Sequence, residues 1–304
     1  MKRILLKLVV LSVVVFITFY LGFRTGVVKA FPYDQMRYLI GLKNKLLKND
    51  SDVKSNYDKK SIQFRDTVIT NRVVVKYDSN LNTGVFLTYG QSNSVNSGQY
   101  GYSVKSKVYQ HFNKILYLYE DPSLGGDGGN GSVWGMVGDK LISEGLYEQV
   151  IFAVTGLGSK SIEELNGGEY YDYFKKEYRE LILKFGRVNG ILFHQGESNH
   201  HALKGSINYK NDFLLFLERM RKDGIKSPIY LSQTTYCGSR QVDEGLHNIQ
   251  NELIIDEKVV LRGPDTDLLT NKEFRLPDGC HFSMLGFEKY SDMWVNCIKK
   301  YSEN

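Results

Sequence analysis

The sequence predicts an α/β domain with a mostly parallel central sheet that helices cover on both faces. Short apolar, β-branched runs alternate along the chain with longer segments whose apolar residues recur at i, i+3 and i+4. Polar, glycine-containing turns follow the apolar runs, which is where binding sites lie in such sheets. The 304 residues are 42% hydrophobic and 24% charged. This ordinary globular composition excludes a disordered chain, a collagen and a polytopic membrane protein.

The elements follow from these patterns in chain order. An edge strand pair is predicted over 62–77, where apolar residues alternate. Buried strands are predicted at Val85–Tyr89, Val150–Val154, Gly190–His194 and Pro228–Ser232. Helices are predicted between and after them, at Ser132–Glu144, Tyr170–Phe185, Tyr209–Asp223 and Glu244–Ile255.

Residues 1–30 have the pattern of a membrane signal. The basic segment Met1–Lys7 precedes sixteen uncharged residues, Leu8–Phe23. We favour an uncleaved transmembrane helix, flanked by Tyr20 and Arg24, over a cleaved signal peptide that ends near Ala30. In both cases the positive-inside rule predicts that the remaining chain lies outside the cytoplasm.

Residues 31–60 are polar and predict a stalk, and residues 61–304 predict the folded domain. The first 60 residues contain 12 Lys/Arg against 4 Asp/Glu, whereas residues 61–304 contain 27 against 30. The folded part is therefore nearly neutral, which argues against a nucleic-acid partner. The membrane is the partner predicted for the N-terminal helix.

Four polar blocks carry residues suited to catalysis. They are Gly90-Gln91-Ser92-Asn93, the glycine turn 156–161, the block 194–199 (HQGESN) and the block 278–283 (DGCHFS). Each block alone has an ordinary structural explanation, such as a capped turn or a buried histidine. Together they supply a serine nucleophile, a histidine base with an orienting aspartate, and oxyanion donors, which acyl transfer requires. The serine is not in a Gly-x-Ser-x-Gly elbow, so an α/β-hydrolase is not indicated.

The blocks GQSN, HQGESN and DGCHF resemble those of the SGNH (GDSL-like) hydrolases, in particular the sialate O-acetylesterase and acetyl xylan esterase branch. The segments GSVWG (131–135) and GPDTDLL (263–269) support the resemblance, which covers about residues 83–298. It implies a flavodoxin-like three-layer α/β/α sandwich with a five-stranded parallel sheet.

The resemblance assigns the catalytic roles. Ser92 is the nucleophile, His281 is the base and later the acid, and Asp278 orients His281. The N–H groups of Ser92 and Gly158, with the side-chain amide of Gln195, form the implied oxyanion hole.

Further residues are predicted to bind or orient the substrate. Glu197 orients Gln195 or the substrate, and the remaining members of this set are Gln91, Asn93, Trp134 and Tyr236, with Tyr100 and Tyr102 as further sugar-facing candidates. Two positions depart from the branch. Asn199 replaces an aspartate, and Gly135 replaces a proline, which predicts a looser wall of the cleft.

These assignments predict a serine-dependent carbohydrate O-acetylesterase acting on an O-acetylated glycan without a metal or other cofactor. An envelope polysaccharide O-acetyltransferase using the same residues is the alternative, and an inactive sugar-binding module is a weaker one. His194, His200 and His201 are not assigned to a metal, and the last two are expected to be exposed. Cys237, Cys280 and Cys297 allow at most one disulfide, or are all small buried side chains.

Overall fold

Seven strands form one sheet in the part of the chain that the computed structural model describes, residues 72–203, 208–254 and 259–302. The spatial order is β3-β2-β4-β1-β5-β6-β7, and all neighbours are parallel except β2 and β3. The strands are β1 (Thr83–Gly90), β2 (Val108–Phe112), β3 (Ile115–Leu118), β4 (Gln149–Val154), β5 (Gly190–His194), β6 (Ile229–Gln233) and β7 (Val260–Asp265). The part β4-β1-β5-β6-β7 has the flavodoxin-like order. The five-stranded sheet that the resemblance implies is thus extended at one edge by the hairpin β2–β3.

Helices cover both faces of this sheet. They are α1 (Trp134–Ser143), the short α2 (Ile162–Leu165), α3 (Gly168–Phe185), α4 (Tyr209–Lys222), α5 (Glu244–Leu253) and α6 (Met284–Ser302). Alternate residues of β1 enter two separate cores: Val85 and Leu87 pack with α3, α4 and α5, whereas Phe86 packs with α1 and α6. Strands β1, β4, β5 and β6 are buried on both faces, which is why they contain continuous apolar runs in the sequence.

The predicted elements are largely confirmed. The four strands and four helices predicted above occur within two residues of their expected bounds. The prediction missed β2, β3, β7, α2 and α6. Strand β7 contains Arg262, Gly263 and Pro264, which hide it from a search for apolar runs. Of the edge strand pair predicted over 62–77, only 72–77 is described, and there Val74 makes a single bridge to Tyr117 instead of a strand.

The predicted membrane segment 1–30 and stalk 31–60 lie outside the described residues, as does the start of the folded domain up to residue 71. Among the described helices, none combines the length and the apolar character needed to cross a membrane.

Strands β1 and β5 approach closely at their carboxyl ends. Gly90 pairs with His194 in the parallel ladder, and the Gln91 N–H donates to the His194 carbonyl at 2.9 Å. Gly90 has φ +141°, and a Cβ at this position would overlap the His194 carbonyl oxygen. Only glycine satisfies both the conformation and the contact, so this residue sets where the next turn begins.

We predict that Gly90→Ala destabilises the protein strongly. The added methyl group forces the ends of β1 and β5 apart, and we expect the free energy of unfolding to fall by at least about 2 kcal/mol. Gly129→Ala is the matched control, because a Cβ there has no neighbour within 4 Å, and we expect a change below about 0.5 kcal/mol. Urea denaturation measures both, and equal effects would contradict the proposed close contact.

Candidate active site

The nucleophile candidate Ser92 lies in a tight turn directly after β1. Residues Ser92–Ser94 form one turn of 3-10 helix, closed by the Ser94 N–H donating to the Gln91 carbonyl at 2.8 Å. Ser92 is 9% exposed, so it lies at the edge between the interior and the surface. The carboxyl ends of β1, β4, β5 and β7 share one edge of the parallel sheet, which brings the four blocks that follow them into one region.

Asp278 and His281 form a close pair. Asp278 Oδ2 lies 2.6 Å from His281 Nδ1, and Asp278 Oδ1 accepts the backbone N–H groups of Cys280 and His281 at 2.8 and 3.0 Å. Partial burial opposes ionisation of Asp278, but these hydrogen bonds and the His281 ring outweigh it and hold its pKa well below the usual range. An ionised Asp278 selects the tautomer with the proton on Nδ1, which leaves His281 Nε2 to act as the base.

Asn93 joins the nucleophile turn to the histidine loop. Its side-chain Nδ2 donates to Glu197 Oε1 at 2.9 Å and to the Cys280 carbonyl at 3.3 Å. No hydrogen bond connects the Ser92 hydroxyl to His281 among the described residues. Catalytic hydrogen bonds are often long before a substrate binds, and the bridge through Asn93 is the contact that relates the two residues here.

The predicted oxyanion donor Gly158 has a partner that the sequence analysis did not anticipate. Its N–H donates to Asp127 Oδ2 at 3.0 Å, and Asp127 Oδ1 accepts the Gly128 N–H at 2.9 Å. A Cβ on Gly158 would lie 3.8 Å from Ser92 Cβ, so this carboxylate is bound close to the nucleophile. The sequence signal that could have indicated this contact is the glycine-rich run 125–131, because glycines allow a loop to approach another backbone closely.

The structure does not place the Gln195 amide where it could act as the predicted oxyanion donor. Gln195 is fully buried, and its Nε2 donates to Asn199 Oδ1 at 2.5 Å and to the Lys160 carbonyl at 3.1 Å. The amide therefore joins two loops instead of facing the cleft. Asn199 Oδ1 also accepts the Ile162 N–H at 2.9 Å, so the asparagine that departs from the branch closes the start of α2.

Gln91 and Glu197 orient other residues. Gln91 Oε1 accepts the N–H groups of Gly196 and Ser198 at 3.3 and 3.1 Å, which holds the turn after β5 against the turn after β1. Glu197 Oε1 accepts a hydrogen bond from Asn93. The prediction that Glu197 orients Gln195 is therefore wrong. The carboxylate is buried beside His194, whose Nε2 lies 2.8 Å from Glu197 Oε1.

The prediction that Trp134 faces a sugar is wrong. Trp134 is fully buried, its Nε1 donates to the Ser94 carbonyl at 2.8 Å, and its ring packs against Phe152 and Trp294. The looser wall expected at Gly135 is also wrong, because a Cβ there would lie 3.0 Å from the Tyr119 ring.

Tyr236 borders an open cavity beside the candidate site. The cavity has a volume of about 540 Å³ and is lined by Asp278, Tyr236, Ser239, Thr270 and Lys272 among others. The Arg275 guanidinium lies 5.4 Å from the centre of the Tyr236 ring. Tyr236 as a substrate contact stays a prediction. Of the two other tyrosines, Tyr100 is exposed, and the Tyr102 hydroxyl donates to Asp139 at 2.9 Å.

The histidines after β5 differ from expectation. His200 is 4% exposed, so the prediction of an exposed residue is wrong for it, whereas His201 is exposed as expected. Asp243 Oδ2 lies 2.7 Å from His201 Nδ1 and 3.9 Å from His200 Nδ1. These three side chains offer ligand atoms within 4.8 Å of one another. The sequence did not indicate this cluster, because Asp243 lies about 40 residues after the two histidines. That the protein needs no metal stays a prediction.

Cys237 and Cys280 form a disulfide, and Cys297 is free. The bond ties the loop after β6 to the residue next to His281. The Gly238 N–H donates to the Gly279 carbonyl at 3.2 Å in the same place, so the histidine loop is anchored by a covalent bond and a hydrogen bond.

The chain is similar to known proteins in sequence and in fold. Residues 138–295 match the family model of the carbohydrate esterases described as sialic acid-specific acetylesterases. Among solved structures, a protein from Arabidopsis thaliana is 15% identical over 74% of this chain and 99% of its own, with a TM-score of 0.57. NanS is 14% identical over 72% of this chain and 97% of its own, with a TM-score of 0.55. Identities this low establish a shared fold only. No curated protein matches the sequence.

We predict that Asp278→Asn reduces the loss of unfolding free energy at acidic pH. The folded-state pKa of Asp278 lies below its unfolded value of about 3.9. Its ionised form therefore stabilises the fold above that pH, and this contribution is lost as the pH falls toward the folded pKa. Denaturation at steps between about pH 6 and 2 should show a smaller loss of unfolding free energy in the variant than in the parent. Parallel curves would contradict the strength of this pair.

We predict that removing the disulfide lowers both stability and turnover. The bond joins residues 43 apart, so its loss should cost roughly 2–4 kcal/mol of unfolding free energy. The double variant Cys237→Ser/Cys280→Ser should also lose turnover because the His281 loop loses its anchor. Cys297→Ser is the control and should match the parent. Unchanged turnover in the double variant would show that hydrogen bonds alone hold the loop.

Proposed function

The chain belongs to the carbohydrate esterase family described as sialic acid-specific acetylesterases, and from this premise we propose that it removes acetyl groups from sugar hydroxyls by a serine-dependent mechanism. The observation that carries the proposal is the Asp278–His281 pair, 2.6 Å apart, joined through Asn93 to the turn that presents Ser92. The substrate is an O-acetylated glycan, with acetylated sialic acid the first candidate because of the family.

The first half of the reaction forms an acetyl-enzyme. His281 Nε2 takes the Ser92 hydroxyl proton as the Ser92 oxygen attacks the acetyl carbonyl carbon. Asp278 stabilises the imidazolium that forms. When the tetrahedral intermediate collapses, the bond to the sugar oxygen breaks and His281 returns the proton to that oxygen. Water then repeats the sequence with His281 as base, releasing acetate and restoring Ser92.

The tetrahedral oxyanion is stabilised by the N–H groups of Ser92 and Gly158. One such donor contributes about 3 kcal/mol to lowering the barrier. In this mechanism the Asp127 carboxylate leaves the Gly158 N–H as the acyl oxygen becomes the oxyanion, because two negative charges on one donor repel each other. Gln195, which the resemblance implied as a third donor, acts here by holding the loop of Lys160 and the turn of Asn199 together.

The proposed location is outside the cytoplasm, with residues 1–30 as a membrane anchor and residues 31–60 as a stalk. The Cys237–Cys280 disulfide supports this location, because disulfides persist in oxidising compartments. The basic and then apolar start of the chain supports it independently.

We predict that Ser92→Ala and His281→Ala each reduce turnover by at least about 10³-fold while the protein stays folded, because each removes a group that reacts directly. The assay is acetate release by the purified full-length chain from an aryl acetate, O-acetylated sialic acid and O-acetylated xylan. His201→Ala, which removes an exposed histidine, is the control and should retain parent activity.

A Ser92→Ala or His281→Ala variant that keeps more than about a tenth of parent turnover would contradict the assigned roles. Acetate release in water supports the esterase, and the ratio between the two glycans ranks the substrates. Transfer of acetyl to an added glycan in excess of hydrolysis would instead establish the acetyltransferase alternative. Glycan binding without turnover in the parent would establish the inactive binding module.

A further inference from the structure

A buried carboxylate lies at the centre of the contacts behind the candidate site. Glu197 is 1% exposed, and its Oε1 accepts hydrogen bonds from His194 Nε2 at 2.8 Å and from Asn93 Nδ2 at 2.9 Å. Its Oε2 is buried without a hydrogen-bond partner among the described residues. A carboxylate in this position is costly to bury, so its presence calls for a reason beyond packing.

The groups around Glu197 favour its ionised form. His194 lies on one side, and the Tyr290 hydroxyl contacts the other nitrogen of that ring at 2.7 Å. The side chains of Arg275 and Arg240 add positive charge nearby. Burial opposes ionisation, but His194 and Asn93 outweigh it and lower the pKa of Glu197 to about 2. The carboxylate is therefore an acceptor only, and it fixes which way the Asn93 amide faces.

The Asn93 amide then spans the two halves of the site. The nitrogen that donates to Glu197 also donates to the Cys280 carbonyl, and Arg275 donates to the same carbonyl at 2.6 Å. Asn93 follows Ser92 in the chain, and Cys280 precedes His281. One side chain thus connects the immediate neighbours of the proposed nucleophile and of the proposed base.

We propose that Glu197 and Asn93 are positioning residues for the reaction proposed above, on which this inference rests: Glu197 orients the Asn93 amide, and that amide fixes the nucleophile turn against the His281 loop. Neither side chain reaches the substrate, because both are buried. Their effect falls on the approach of His281 to Ser92. Losing them lowers kcat and leaves KM nearly unchanged.

The experiment measures the reaction of Ser92 with a fluorophosphonate probe, together with kcat and KM for an aryl acetate. The probe reports a serine activated by its base, whatever the natural glycan is. We expect Asn93→Ala and Glu197→Ala to react at least about 100-fold more slowly. We expect the double variant to be little slower than Asn93→Ala alone, because both residues act through one contact.

Two conservative variants separate positioning from general stability. Glu197→Gln keeps an oxygen that accepts from both Asn93 and His194, and it should retain parent reactivity within about 10-fold. Asn93→Asp keeps the size but replaces the donor with a carboxylate facing Glu197, and it should react at least about 100-fold more slowly. These two variants decide the question if either alanine variant fails to fold.

Gln149→Ala is the matched control. Gln149 is a buried amide whose Nε2 donates to the Asp78 carbonyl and to Thr83 Oγ1, at the opposite end of the sheet. It should lower the melting temperature but leave the probe rate unchanged. The inference is overturned if Asn93→Asp reacts as fast as the parent, or if Gln149→Ala slows the probe as much as Asn93→Ala does. Failure of the parent to label at Ser92 would instead overturn the proposed function.

Discussion

The close pairing of β1 with β5 is the constraint on which the candidate site depends. Gly90 lies opposite His194 in a parallel ladder, and a side chain at Gly90 would overlap the His194 backbone. Since both strands end at this point, the turn that carries Ser92 and the turn that carries Glu197 start side by side. If β5 shifted by one residue against β1, every side chain of β5 would turn to the other face of the sheet. The turns that carry Ser92 and Glu197 would then no longer start side by side.

Polar groups that follow these strands face one another instead of the solvent. The Gln91 side chain accepts hydrogen bonds from backbone N–H groups of the turn after β5. The Gln195 side chain donates to Asn199 and to the Lys160 carbonyl. Hydrogen bonds between buried polar groups are strong in the low dielectric of the interior, and they hold the groups they join in one geometry. The network explains how a site made of short loops keeps its arrangement without regular structure.

The histidine loop has further anchors outside this network. The Cys237–Cys280 disulfide anchors it to the loop after β6, and Arg275 donates to the Cys280, Leu269 and Thr266 carbonyls. The cavity beside Asp278 lies between these two loops, so the contacts that hold His281 also fix the shape of this cavity. The Asp127 carboxylate, which accepts the Gly158 N–H, adds a charged group close to Ser92.

Local patterns in the sequence predicted the α/β class, four of the strands and four of the helices, and they placed Asp278 three residues before His281. These features depend only on local periodicity and on neighbours within one turn. It also carried the family resemblance in three short blocks. The contact of Asp127 with Gly158, the inward orientation of Gln195, the burial of Trp134 and the choice of Cys237 for Cys280 were decided only by tertiary structure. Each of these joins residues far apart in the chain, and burial and partner depend on how the loops pack at the sheet edge, which no local pattern encodes. For the same reason Asn93, an ordinary turn residue in the sequence, proved to connect the two halves of the site.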